Sequence, residues 1–116
     1  NHVIPTAVKY QNILIDNVKG LKDIFGKDFK KYASEQLVLI ADISQRIEAI
    51  NSGVTTMTNA RKKANTIKDT TKKATVYCNQ VKPLFDDIRY HCDKLELLID
   101  DELWPLAKYR ELLFTK

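Results

Sequence analysis

Near the middle of the chain stands INSGVTTM, Ile50 to Met57. Two readings compete there, and the choice between them sets the number of helices. Asn51-Ser52-Gly53 followed by Val54-Thr55-Thr56 is a helix stop and a turn, because Ser and Asn favour non-helical hydrogen bonding and glycine and β-branched residues are weak helix formers. Against this, the apolar phase carries across the segment through Ile47, Ile50, Val54 and Met57, which permits an unbroken helix. The Ser-Gly pair and the β-branched run decide for a turn. One helix is therefore expected to end near Asn51, and another to start near Thr56.

On the N-terminal side the reading is plainer. Pro5 fits a first helical turn, where its missing N–H costs nothing. Ile4, Ala7, Val8, Leu14, Ile15, Val18, Leu21 and Phe25 then recur at three- and four-residue spacing, which is a helical stripe and not strand alternation. Gly26 supplies a C-terminal cap and Asp28 an N-cap for the next helix. A connection this short favours antiparallel neighbours. The second stripe is Phe29, Tyr32, Ala33, Leu37, Ile40, Ile43, Ile47 and Ile50.

On the C-terminal side Met57, Ala60, Ala64, Ile67, Thr71, Ala74, Cys78, Val81, Phe85, Ile88, Cys92, Leu95 and Ile99 step by three and four almost without fault. Pro83 lies off this stripe, and "CNQVKPLF" around it has no glycine and no polar cluster to make a hairpin. The expectation is a third helix over 56–100, bent near 79–83 or split at Pro83, since an interior proline removes a hydrogen bond at a cost of about 3 kcal/mol. Pro105 disfavours helical geometry at Trp104, so the long helix should end there and a short tail helix follow over 106–113. The predicted fold is all-α, a single domain over 1–116: an antiparallel bundle of three long helices (about 3–25, 29–51 and 56–100) with a short C-terminal helical tail.

Composition agrees with this class. Of 116 residues 44% are hydrophobic and 29% charged, with three Gly and three Pro, which suits a globular chain of long elements. The longest apolar runs, Ile13–Ile15 and Leu37–Ala41, are too short to span a bilayer, so no membrane partner is expected. No secretory signal is visible, and the two cysteines suit a reducing, cytoplasmic setting. Cys78 and Cys92 would lie about 21 Å apart on one helix, which excludes a bridge between them; both read as small apolar core residues. The chain opens on Asn1 with helical patterning almost at once, which reads as a piece of a longer protein.

The formal charge is +4, but it is segregated. Residues 54–83 carry Arg61, Lys62, Lys63, Lys68, Lys72, Lys73 and Lys82 against Asp69, a net of +6, and residues 84–105 carry seven acids against Arg89 and Lys94, a net of −5. The two blocks nearly cancel, which weakens the field available to a polyanion. Lys62, Lys63, Lys72 and Lys73 would form a stripe along the third helix that could follow a phosphate backbone, yet no aromatics interleave for base stacking. A nucleic-acid-binding bundle using those four lysines is thus an alternative function, as is a coiled-coil adaptor pairing through residues 57–99. His91 and Cys92 with Cys78 lack metal-ligand spacing, and helix packing is the reading of His91. Asp86-Asp87 and Asp100-Asp101-Glu102 read as solvated helix charges and not as acid–base pairs. No phosphate-binding glycine loop exists. Catalytic, cofactor-binding and metal residues are accordingly expected to be absent from this chain.

Both ends carry a family likeness. The opening NHVIPTAVKYQNILIDNVKGLK and the close RYHCDKLELLIDDELWPLAKYRELLF resemble the C-terminal region of type III glutamine synthetases. Ile4, Pro5, Tyr10, Gln11, Asp93, Leu95, Glu96, Trp104, Pro105, Tyr109, Leu112, Leu113 and Phe114 carry the resemblance, which spans the chain and is loosest over 26–60. The family often has a second proline where Ala107 stands. The resemblance implies a bacterial ligase that joins ammonia to glutamate with ATP and Mg2+ or Mn2+, in nitrogen metabolism. It also implies that the catalytic machinery lies in segments before Asn1, so that this chain alone is inactive. Its expected role is scaffolding: packing on its own catalytic domain and on other subunits of a double-ring homo-oligomer. Trp104, Pro105, Tyr109, Leu112, Leu113 and Phe114 are the expected docking tail.

Overall fold

The computed structural model describes the backbone of residues 3–114 and the side chains of residues 3–100. Four helices and two short turns follow in order: α1 (Val3–Phe25), a 3-10 turn (Gly26–Asp28), α2 (Phe29–Asn65), α3 (Thr70–Val76), a π turn (Tyr77–Val81) and α4 (Lys82–Phe114). The class is all-α, with no strand among the described residues.

The first helix and its end match the sequence reading. Gly26 takes φ +58°, the left-handed geometry that lets glycine close a helix without a Cβ clash. Asp28 completes the 3-10 turn, and its carboxylate lies 3.9 Å from Lys31 Nζ on the following turn. No capping bond from Asp28 accompanies it among the described contacts.

The turn expected at Asn51-Ser52-Gly53 does not form. Helix α2 continues through it for 37 residues to Asn65, so the scheme of helices at 29–51 and 56–100 is corrected. The β-branched run is accommodated because its hydroxyls bond back to the helix: Thr55 Oγ1 donates to Asn51 O at 3.2 Å and Thr58 Oγ1 to Val54 O at 2.8 Å. Gly53 serves packing instead of stopping: a Cβ built there would lie 2.8 Å from Ile88 Cγ1. The helix ends at Asn65, where Thr66 N bonds Lys63 O at 3.2 Å and Ile67 N bonds Ala64 O at 3.1 Å in tightened i+3 fashion. Asp69, in extended geometry, then caps α3, its Oδ1 accepting from Thr71 N at 2.9 Å and from Lys72 N at 3.4 Å.

A second correction concerns proline. The chain is neither split at Pro83 nor stopped at Trp104-Pro105. Lys82 N–H bonds Tyr77 O, five residues back, forming the π turn just before Pro83, which becomes the second residue of α4. A proline ring clashes with the carbonyl four residues earlier; widening the turn gives that carbonyl room. The wider turn also shifts the buried face, because each extra residue rotates the helix by about 100°. In α3 and the π turn Lys73, Val76 and Tyr77 are half-buried, whereas Thr71, Ala74 and Cys78, predicted to face inward, are exposed. Helix α4 then runs through Trp104 and Pro105 to Phe114, so the separate tail helix over 106–113 is part of α4.

Two compact units divide the chain, Asn1–Ser44 with Lys94–Lys116, and Gln45–Asp93. In the first, Val3, Ala7, Tyr10 and Leu14 of α1, Ala33 and Ile43 of α2, and Leu95 and Ile99 of α4 are buried. Here α1 and α2 are antiparallel. Gln11 Nε2 donates to Ile40 O at 2.9 Å and to Ser44 Oγ at 2.7 Å, Gln36 Nε2 donates to Asn17 Oδ1 at 3.1 Å, and Phe25 stacks on Tyr32 at 4.1 Å. In the second unit the buried residues are Ile50, Ala64 and Val81, and Tyr77 Oη donates to Asn65 Oδ1 at 2.6 Å.

The Gly53 contact has a measurable consequence. Alanine in a helix interior is favoured over glycine by about 0.5–1 kcal/mol, but overpacking a close contact costs about 1–3 kcal/mol. Gly53→Ala should therefore lower stability by about 1 kcal/mol in urea denaturation, and the loss should vanish when Ile88→Ala is already present. A stabilising Gly53→Ala in the wild-type background would refute the close approach.

Candidate docking surface

The residues singled out from the sequence do not converge. Lys62 and Lys63 lie at the end of α2, Lys72 and Lys73 in α3, and the 66–69 connection separates the pairs. The single lysine stripe along one helix is thus corrected; Lys62, Lys63 and Lys72 are exposed and Lys73 is half-buried. Cys78 is exposed and Cys92 half-buried, so neither is the fully buried core residue expected. Asp86, Asp87 and Asp100 are exposed. The side chains of Trp104, Pro105, Tyr109, Leu112, Leu113 and Phe114 lie outside the described residues.

His91 has a packing environment. Its Nδ1 is 3.3 Å from Arg46 Nη1, and its Nε2 is 3.8 Å from Asp87 Oδ1 one helical turn earlier. The guanidinium can only donate, so Nδ1 accepts and the ring proton belongs on Nε2, facing the carboxylate. Arg46 also lies 5.9 Å from the Tyr90 ring centre, and Tyr90 meets the His91 ring edge-on at 5.4 Å. Histidine here joins α2 to α4 within the second unit. No three His, Cys, Asp or Glu side chains come together as a metal site among the described residues, and none of the helices searched is long and apolar enough to cross a membrane.

What the second unit does present is a groove. Met57 and Arg61 of α2, Tyr77, Cys78 and Val81 of the π turn, and Lys82 and Phe85 of α4 line an open depression of about 560 Å³. Its floor is apolar and its charged groups are both cations. Phe85 leaves 51% of its surface in water although it stood on the predicted inner stripe. The sequence reading missed this surface because it treated the stripe through Cys78, Val81 and Phe85 as continuous. The signal was Pro83, placed where an ordinary helix would need relief at Asn79.

Exposure separates the groove from the core in a testable way. Phe85→Ala should lower the unfolding free energy from urea titration by at most about 1 kcal/mol, well under the roughly 3–5 kcal/mol of a fully buried ring, because half of this side chain already faces water. Val81→Ala, at a buried position, should cost about 1–2 kcal/mol. A loss in the range of a fully buried ring would mean that Phe85 is a core residue.

No family model matches the chain. Over its whole length it is similar to a stretch of a glutamine synthetase from Bacteroides fragilis (strain YCH46), with 47% identity across 117 aligned residues. The chain spans 16% of that protein's length, so it is a homologue of a segment of a glutamine synthetase.

Proposed function

We propose that this chain is the helical C-terminal segment of a type III glutamine synthetase, serving subunit assembly and taking no part in catalysis. The observation that carries the reading is the 47% identity running the full length of the chain against a glutamine synthetase of which it forms 16%. A helical segment rich in exposed apolar side chains, among them Val54, Phe85 and Tyr90, suits a part whose business is contact with other protein.

Under this reading ATP, Mg2+ or Mn2+, glutamate and ammonia bind elsewhere in the parent enzyme. The described residues do not fit a divalent metal, since no three ligating side chains converge, and no chemical step is derived from them. The parent would be a bacterial, cytoplasmic enzyme of nitrogen assimilation, and this segment would pack on its own catalytic domain and on neighbouring subunits. The nucleic-acid alternative has lost its geometric basis, because the four lysines do not share one helix.

Two measurements test the proposal together. The purified chain should give no ATP-dependent glutamine formation, and turnover above background would overturn the non-catalytic role. Removing the whole stretch from the parent protein should lower the number of subunits per particle in light scattering; an unchanged subunit number would overturn the assembly role.

A further inference from the structure

The groove of the second unit has a chemistry that the same chain can satisfy. Its floor is Met57, Tyr77, Val81 and Phe85, and its charged groups are Arg61 and Lys82, both exposed. Neither cation has an ion-pair partner among the described residues. The fitting ligand is therefore an acidic segment with large apolar side chains at its centre. In the sequence that description meets Asp100-Asp101-Glu102-Leu103-Trp104-Pro105, where three successive acids lead into the only tryptophan.

We propose that the groove receives the segment Asp100–Phe114 of a second copy of this chain. Lys82 and Phe85 line the groove from α4, and the acidic segment continues that same helix. A chain cannot turn its tail back onto the groove while α4 stays whole, so the occupant comes from another copy. Charge complementarity sets the register: on one face of the helix Asp100 meets Arg61 and Lys82, and Leu103 and Trp104, one turn further on, cover Met57 and Phe85. Tryptophan filling an apolar pocket is the usual anchor of such contacts, with charged pairs at the rim steering approach. A polyanion would leave the apolar floor unused. The inference rests on the assembly reading for its place in a larger particle and goes beyond it by naming the two contacting surfaces.

Cys78 in the groove provides the probe. In a Cys92→Ala background, Leu103→Cys should yield a disulfide-linked dimer on mild oxidation with copper phenanthroline. Peptide mass spectrometry should place the link between Cys78 of one copy and the introduced thiol of the other. Arg61→Glu with Lys82→Glu, both surface changes whose folding circular dichroism can verify, should cut the yield about tenfold. Adding Asp100→Lys should recover part of it. Links only between two Cys78 residues, no dimer, or a yield indifferent to charge reversal would each overturn the proposal. If the link fails while deletion of the stretch still lowers the number of subunits in the parent particle, the groove assignment falls and the assembly reading stands. The specified link with an unchanged subunit number supports the groove and removes the assembly reading.

Discussion

A helix that passes Asn51-Ser52-Gly53 without stopping forfeits local preference, and the contact of Gly53 with Ile88 is what offsets it. With only a hydrogen at position 53, the backbone of α2 comes within 2.8 Å of Ile88 Cγ1 when measured from the missing Cβ position. Close packing of this kind gains dispersion contacts that a larger residue would push apart. It also keeps Ile50 and Ala64 on one buried face of the same helix, with Met57 half-buried between them. Had the chain turned at Gly53, those three residues would not share a face, and Arg46 and the residues after Met57 would not belong to one element.

The π turn is the second constraint, and it follows from Pro83. The sequence keeps a regular apolar step from Met57 to Ile99, but a regular α-helix cannot keep that step past a proline without loss. Inserting a wider turn before the proline preserves helical continuity at the cost of phase. The half-buried positions become Lys73, Val76 and Tyr77, and Cys78 moves to the surface. From the end of the π turn onward, Val81, Leu95 and Ile99 are buried and Ile88 and Cys92 half-buried as the original stripe has them, with Phe85 as the exposed exception. The π turn thus closes the stretch, begun by the 66–69 connection, in which the stripe misleads. It also explains why an apolar groove opens beside Tyr77–Val81.

Much of the fold was legible because periodicity is a global signal. The span of α1, the Gly26 cap, the antiparallel sense of α1 and α2, and the inward positions Ala33, Ile43, Ile50, Leu95 and Ile99 all follow from spacing and glycine geometry. The missed features are local decisions among terms of similar size. At Gly53 the propensity argument was sound, but tertiary packing outweighed it. The true end of α2 carried a signal that went unused: Asp69 before Thr70-Thr71 is an N-cap pattern, and it closes the four-residue connection 66–69. The candidate surface was less legible than the fold. Its lining residues Met57, Arg61, Tyr77 and Lys82 come from three elements, and no single helical wheel places them together.

The charge arrangement ties these points together. The basic groups of residues 54–83 lie at the end of α2, in the 66–69 connection, in α3 and, as Lys82, at the start of α4, while the acids of residues 84–105 follow on α4. Read as one linear stripe, the lysines would project a continuous cationic face toward a polyanion. Broken at residues 66–69 and re-phased at 77–81, they divide instead into separate groups, and only Arg61 and Lys82 border the apolar groove. Two cations beside an apolar floor select for short acidic segments with apolar side chains and against long uniform charge. A chain whose own α4 carries such a segment, and whose near-cancelling blocks limit long-range repulsion between copies, is built to recognise protein of its own composition.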